Sequence, residues 1–173
     1  MFPPTRWLLG EQGRAQSLLL AERLRPYRPE VVITSQEPKA AETGEIVAER
    51  LNLPLRSAPG LHERDRTGVP YFDDVAEFEK MMGTFFERSA ERVSGGESAD
   101  EARQRFGAAV QRVLEPHPEQ TVVIVAHGTA NTLFVAAHNP VEPFAFWQAW
   151  ALGTFAVLSR PDFGLLEAPT DHE

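Results

Sequence analysis

Apolar positions along the chain recur with two periods, and the switches between them predict the elements. From Glu11 the period is helical, with Leu18, Leu19, Ala21 and Leu24 supplying an apolar face until Pro26 and Pro29 end it. Val31, Val32 and Ile33 read as a short buried strand with Thr34 and Ser35 at its C-terminal end. Pro38 suits the first turn of a helix running through Ala41, Ile46, Val47 and Leu51, and Asn52 is its predicted C-cap. Leu53 to Ala58 reads as another strand, after which Pro59 and Gly60 turn the chain into LHERDRTG. Beyond Pro70, Val75, Phe78, Met82 and Phe85 return at helical spacing, as a core-packing face would. Ser98 and Glu101 have the spacing of a capping box, and the helix they start is predicted to bury Ala102, Phe106, Ala109, Val113 and Leu114 before Pro116 and Pro118.

Val122 to Ala126 is a continuous apolar run ending in His127 and Gly128, followed by a helical pattern in Ala130, Leu133, Phe134 and Ala137 that stops at Asn139 and Pro140. It reads as a buried strand that delivers a histidine to its C-terminal end. Phe144, Phe146, Trp147 and Trp150 form an aromatic helix or turn suited to a core. Thr154 to Ser159 and Leu165 to Glu167 are predicted strands paired through the Pro161 to Gly164 turn. Strands alternating with helices imply an α/β fold, a three-layer α/β/α sandwich with a mainly parallel sheet. A chain of 173 residues suits one domain, 1–173.

Composition narrows the function classes. The chain is 42% hydrophobic and 24% charged, the balance of a globular protein. No cysteine is present, which excludes disulfides, thiolate metal sites and cysteine nucleophiles. With no basic leader followed by an apolar core, a cytoplasmic location is expected. The formal net charge of −8 argues against nucleic acid or a membrane surface as partner, since both need a positive footprint.

Three strand ends converge in principle: Thr34 with Ser35, the loop around Glu63, and His127. In open α/β sheets ligands bind at that edge, and the helix beginning after His127 points free N–H groups at it, so an anion is expected. Lys39, alone an ordinary surface charge, starts a helix from which it reaches the same edge; a nearby carboxyl can protonate a leaving oxygen. The run His62, Glu63, Arg64, Asp65, Arg66 reads by default as solvated surface. No nucleophile elbow, Walker loop or dinucleotide fingerprint occurs, and His62, His117, His138 and His172 lack metal-ligand spacing.

Gly13-Arg14-Ala15-Gln16, TSQEPKAAETGEIVAERL, LHERDRTG, GGES and VVIVAHGTAN, in that order between about Leu9 and Ala137, together resemble the histidine phosphatase superfamily, also called phosphoglycerate-mutase-like. The resemblance implies a phosphomonoester hydrolase or mutase acting on a small phosphorylated substrate, with no metal and no cofactor. It further implies a nucleophilic histidine in an Arg-His-Gly motif at the end of the first strand. By match, His127 is the second histidine, which with Gly128 binds phosphoryl oxygens, and Glu63 is the proton donor. Ser35 is the turn serine. Lys39 stands where a second arginine is usual, keeping the charge but losing the bidentate fork.

The departure from the pattern is at the start. Twelve residues precede Gly13, no histidine precedes His62, and Arg6 is followed by Trp7. The expected consequences are an inactive or impaired enzyme and a sheet lacking a central strand, with unpaired backbone groups and an apolar gap that a homo-oligomer would fill. A single clean N-terminal defect also predicts a reading frame that begins upstream of Met1. Two rival expectations follow: a non-catalytic protein of the same fold that binds a phosphorylated ligand or partner through Lys39 and His127, and an assembly protein whose open sheet edge is its interface.

Overall fold

Two short parallel pairings organise the chain. In the computed structural model, which describes residues 8–69 and 72–170, β1 (Val31–Thr34) lies between β2 (Leu55–Ser57) and β3 (Val122–Val125) in the order β2-β1-β3. Val32 pairs with Leu55 on one side, and Val31 to Thr34 pair with Val122 to Val125 on the other. A separate antiparallel pair joins β4 (Val157–Leu158) to β5 (Leu165–Glu167).

Helices cover both faces of the parallel sheet, and side-chain alternation along the strands decides which helix each residue meets. Val31 and Ile33 pack with Phe106, Ala109, Val110 and Leu114 of α4 (Ala99–Leu114) and with Ala130 and Phe134 of α5 (Gly128–His138). Val32 faces the opposite layer, against Leu20, Ala21 and Leu24 of α1 (Glu11–Leu24) and Val47 and Ala48 of α2 (Pro38–Leu51). Helix α2 crosses β1 so closely that a Cβ at Gly44 would lie 2.0 Å from Thr34 Cγ2. Met82 and Phe85 of α3 (Val75–Glu87) join Leu133 in a third cluster, with Phe144 and Trp147 of α6 (Pro143–Gln148) against it.

Most predicted boundaries hold. Pro38 opens α2, Asn52 closes it in the left-handed conformation at φ 54°, and Ser98 with Glu101 makes both bonds of the capping box. The strands predicted over 53–58 and 154–159 are shorter, reduced to Leu55–Ser57 and Val157–Leu158.

Four expectations fail. The buried stripe of α1 is Gly13, Ser17, Leu20, Ala21 and Leu24, leaving Leu18 and Leu19 49% and 56% exposed, because three consecutive leucines cannot all face the sheet. Val75 is 71% exposed at the first turn of α3, ahead of the part that packs. Arg64 is buried rather than solvated, its guanidinium 4.6 Å from the centre of the Phe85 ring and donating to the Ser94 carbonyl at 2.8 Å. Finally, β3 is only half-buried along its length, whereas β1 is buried throughout. The reason is positional: among the described residues β1 has a strand on each side, and β3 has one. The predicted N-terminal features at Arg6 and Trp7, and His172, lie outside the described residues.

Candidate active site

The C-terminal ends of β1 and β3 carry the polar residues of the cluster. Ser35 leaves β1 fully buried, its amide bonded to the Val125 carbonyl at 2.9 Å. His127 leaves β3 as the N-cap of α5, 4% exposed, and its Nε2 shares a hydrogen bond with Ser35 Oγ at 3.0 Å. The sequence expectation that these two strand ends converge is met across 92 positions of chain.

Glu63 reaches the same place from its loop. Its carboxylate accepts from the amides of Thr129 at 3.2 Å and Ala130 at 3.1 Å, the first-turn N–H groups that α5 leaves without helical partners. Lys39 sits in the first turn of α2 and lines the same cavity as Glu63 and His127. Among the described residues its ammonium has no hydrogen-bond or ion-pair partner. Gly128 follows His127 under Trp150, where a Cβ would make only ordinary contact with the Trp150 Cβ at 3.6 Å; close packing therefore does not require glycine there.

Glu37, which the sequence reading passed over, belongs to the cluster. Its Oε1 accepts from the Glu63 amide at 3.0 Å, and its Oε2 stands 3.7 Å from His127 Nε2. The signal available in the sequence was its position between Ser35 and Lys39.

Arg105 of α4 was also missed, and it fixes the Glu63 loop. Its guanidinium grips the Glu97 carboxylate through two bonds of 2.8 Å while donating to the carbonyls of Gly60 at 2.8 Å, His62 at 3.0 Å and Glu63 at 3.3 Å. The adjoining GGES linker presses on the same loop. Gly95 has φ +97°, and a Cβ there would lie 2.2 Å from the Asp65 carbonyl oxygen, so a side chain is excluded on both counts.

Burial is the largest influence on the His127 imidazole and holds its pKa below the ordinary 6.5. The Glu63 and Glu37 carboxylates pull in the opposite direction, and Lys39 and His62 add to the lowering. The result is an imidazole held toward its neutral form beside the Ser35 hydroxyl, with the Lys39 ammonium lining the same cavity, a set whose chemistry suits an oxyanion.

Comparison with known proteins gives the family and the fold. A metal-independent phosphoserine phosphatase of Arabidopsis thaliana is 31% identical over 127 residues, 69% of this chain and 53% of that protein, so the chain spans about half the length of that relative. Bacillus stearothermophilus YhfR shares the fold, with a TM-score of 0.73 at 24% identity over 96% of this chain and 87% of that one. A mycobacterial glucosyl-3-phosphoglycerate phosphatase solved with inorganic phosphate gives a TM-score of 0.64 at 25% identity, covering 83% of this chain and 74% of that one. The family model of the histidine phosphatase superfamily (branch 1) matches residues 5–160, and by that match the chain belongs to this superfamily.

Proposed function

We propose that Ser35, Lys39, His127 and Gly128 form the phosphoryl-binding site of a metal-independent phosphatase-type domain, with Glu63 placed as proton donor to the leaving oxygen. The observation that carries this reading is the joining of His127 to Ser35 at 3.0 Å with the Lys39 ammonium left unpaired on the same cavity. A phosphoryl group supplies what that set lacks, oxygen acceptors for the ammonium and the imidazole. The similar phosphoserine phosphatase supports a small phosphomonoester as ligand class.

Residues 1–61 contain no histidine. The resemblance assigns the nucleophile to a histidine ahead of that point, so residues 1–173 by themselves bind a phosphomonoester and turn it over slowly or not at all. The second reading, a non-catalytic phospho-ligand binder, draws on the same observation. One experiment separates them: hydrolysis of a generic aryl phosphate by this chain and by a version extended upstream with an apolar strand ending in Arg-His. Hydrolysis that appears only in the extended protein supports the phosphatase reading. Equal inertness of both, with vanadate still bound, establishes the binder. Loss of neither phosphate nor vanadate affinity in His127→Ala would overturn the site itself.

A further inference from the structure

Arg64 is a buried cation that no carboxylate pairs with among the described residues. Its Nη1 donates to the Ser94 carbonyl at 2.8 Å and stands 3.4 Å from Ser94 Oγ. Its Nη2 faces two thioethers, Met81 Sδ at 3.8 Å and Met82 Sδ at 3.6 Å. Burial, and next the like charge of Arg66, lower the Arg64 pKa from 12.5 to about 10, so the group is still charged at neutral pH. A thioether sulfur is a weak acceptor for a charged donor. The Nη2 side of the guanidinium is therefore undersupplied.

The two methionines differ in what can reach them. Met82 is 1% exposed, whereas Met81 is half-buried beside the cluster that Met82 and Phe85 build. The Met81 sulfur also accepts from the Ser94 hydroxyl at 2.8 Å, so a neutral donor and a charged one meet at it. Oxidation of a methionine in an apolar cluster ordinarily weakens the fold, because the new oxygen is polar and lacks partners. At Met81 both partners are already in place.

We propose that Met81 is a site of oxidation by hydroperoxides, and that its sulfoxide oxygen becomes the acceptor for Arg64 Nη2 and Ser94 Oγ. In the step, a sulfur lone pair attacks one peroxide oxygen, and the S–O bond forms as the O–O bond breaks. The second oxygen departs with the proton of the transferred hydroxyl, as water from hydrogen peroxide or as an alcohol from an organic peroxide. Sulfur loses two electrons and the peroxide gains them. The product ties α3, through Met81, to Ser94 of the linker and to Arg64, the residue after Glu63. Oxidation thus fastens this corner of the fold instead of loosening it. The proposal uses no residue assigned to the anion site and holds whether or not the phosphoryl reading does.

The test treats the full chain with dilute hydrogen peroxide and follows it by fragmentation mass spectrometry, which separates the adjacent Met81 and Met82. The Met81 sulfoxide is expected to form before that of Met82, and the oxidised protein to melt about 2–4 °C above the reduced one. In Arg64→Leu the same oxidation should lower the midpoint, since the new oxygen has lost its cation. A second comparison leaves Arg64 in place: Met81→Gln, whose amide oxygen stands in for the sulfoxide oxygen, should melt above Met81→Leu. Oxidation of Met82 ahead of Met81 overturns the proposal, as does a midpoint that falls when Met81 is oxidised in the parent. A rise of equal size in Arg64→Leu overturns it too, because the oxygen would then have another partner. So does a Met81→Gln protein that melts below Met81→Leu.

Discussion

Glu63 caps a helix that begins 65 positions further along the chain than itself: its Oε1 accepts the Ala130 amide at 3.1 Å, and its Oε2 takes the neighbouring amide of Thr129. The residue proposed as proton donor thus occupies the N–H groups at which an incoming anion would aim. Glu63→Gln keeps a carbonyl acceptor and removes the negative charge. The expected outcome is a loss of about 1 kcal/mol in stability, from the weakened charge–dipole interaction, together with tighter vanadate binding. Urea unfolding and a vanadate titration on the same variant check both halves; unchanged vanadate binding would mean that Glu63 stands away from the anion.

Arg105 is expected to matter for the site although it lies outside it. Arg105→Ala removes a bidentate grip on Glu97 and three bonds to loop carbonyls, with both side chains of the pair largely covered at 20% and 14% exposure. Hydrogen bonds to charged groups contribute about 1.5–3 kcal/mol, so a loss of about 2 kcal/mol is expected after the loop relaxes. Vanadate affinity should fall with it, because the loop that carries Glu63 is no longer fixed. A variant as stable as the parent would show that the linker glycines hold the loop unaided.

Lys39→Ala should weaken phosphate and vanadate binding by about tenfold, or about 1.4 kcal/mol, with no measurable change in unfolding, since the ammonium makes no bond to the described residues. Lys39→Arg should bind at least as tightly as the parent, because the guanidinium offers two parallel donors to a phosphoryl group. Isothermal titration decides; an unchanged affinity in the alanine variant removes Lys39 from the site.

Much of this arrangement was legible because its causes are local. Pro38 at the start of α2, the left-handed Asn52 at its end and the Ser98–Glu101 box are each determined within one helical turn. The burial of β3 was not legible, because VVIV in β3 and VVI in β1 are the same kind of sequence, and only the neighbours of each strand distinguish them. The phase of α1 was misread where Leu18, Leu19 and Leu20 stand together, since a run of equals carries no period. Arg64 sits in a run of five charged or titratable residues, and its burial depends on Met82 and Phe85, about twenty positions away. His127 was legible as a histidine at the end of an apolar run and Glu63 through the family resemblance, whereas Arg105 acts through distances that no spacing in the sequence encodes.

The lowered pKa of His127 gives a stability that depends on pH with a definite sign. In the unfolded chain the imidazole takes up a proton near 6.5, and in the folded chain burial delays protonation to lower pH. Between the two values the unfolded state holds more protons, so stability rises with pH through that window and is complete above about 6.5. As pH falls below that point the contribution is lost, even with the opposing pull of Glu37 and Glu63. The parent in a phosphate-free buffer should therefore have a lower thermal midpoint near pH 5.5 than near pH 7.5, and His127→Asn should show a smaller difference between the two. Saturating phosphate should also flatten the dependence in the parent, because an anion beside the imidazole raises its pKa toward the unfolded value. Identical pH slopes in parent and variant would mean that His127 is not the group that titrates.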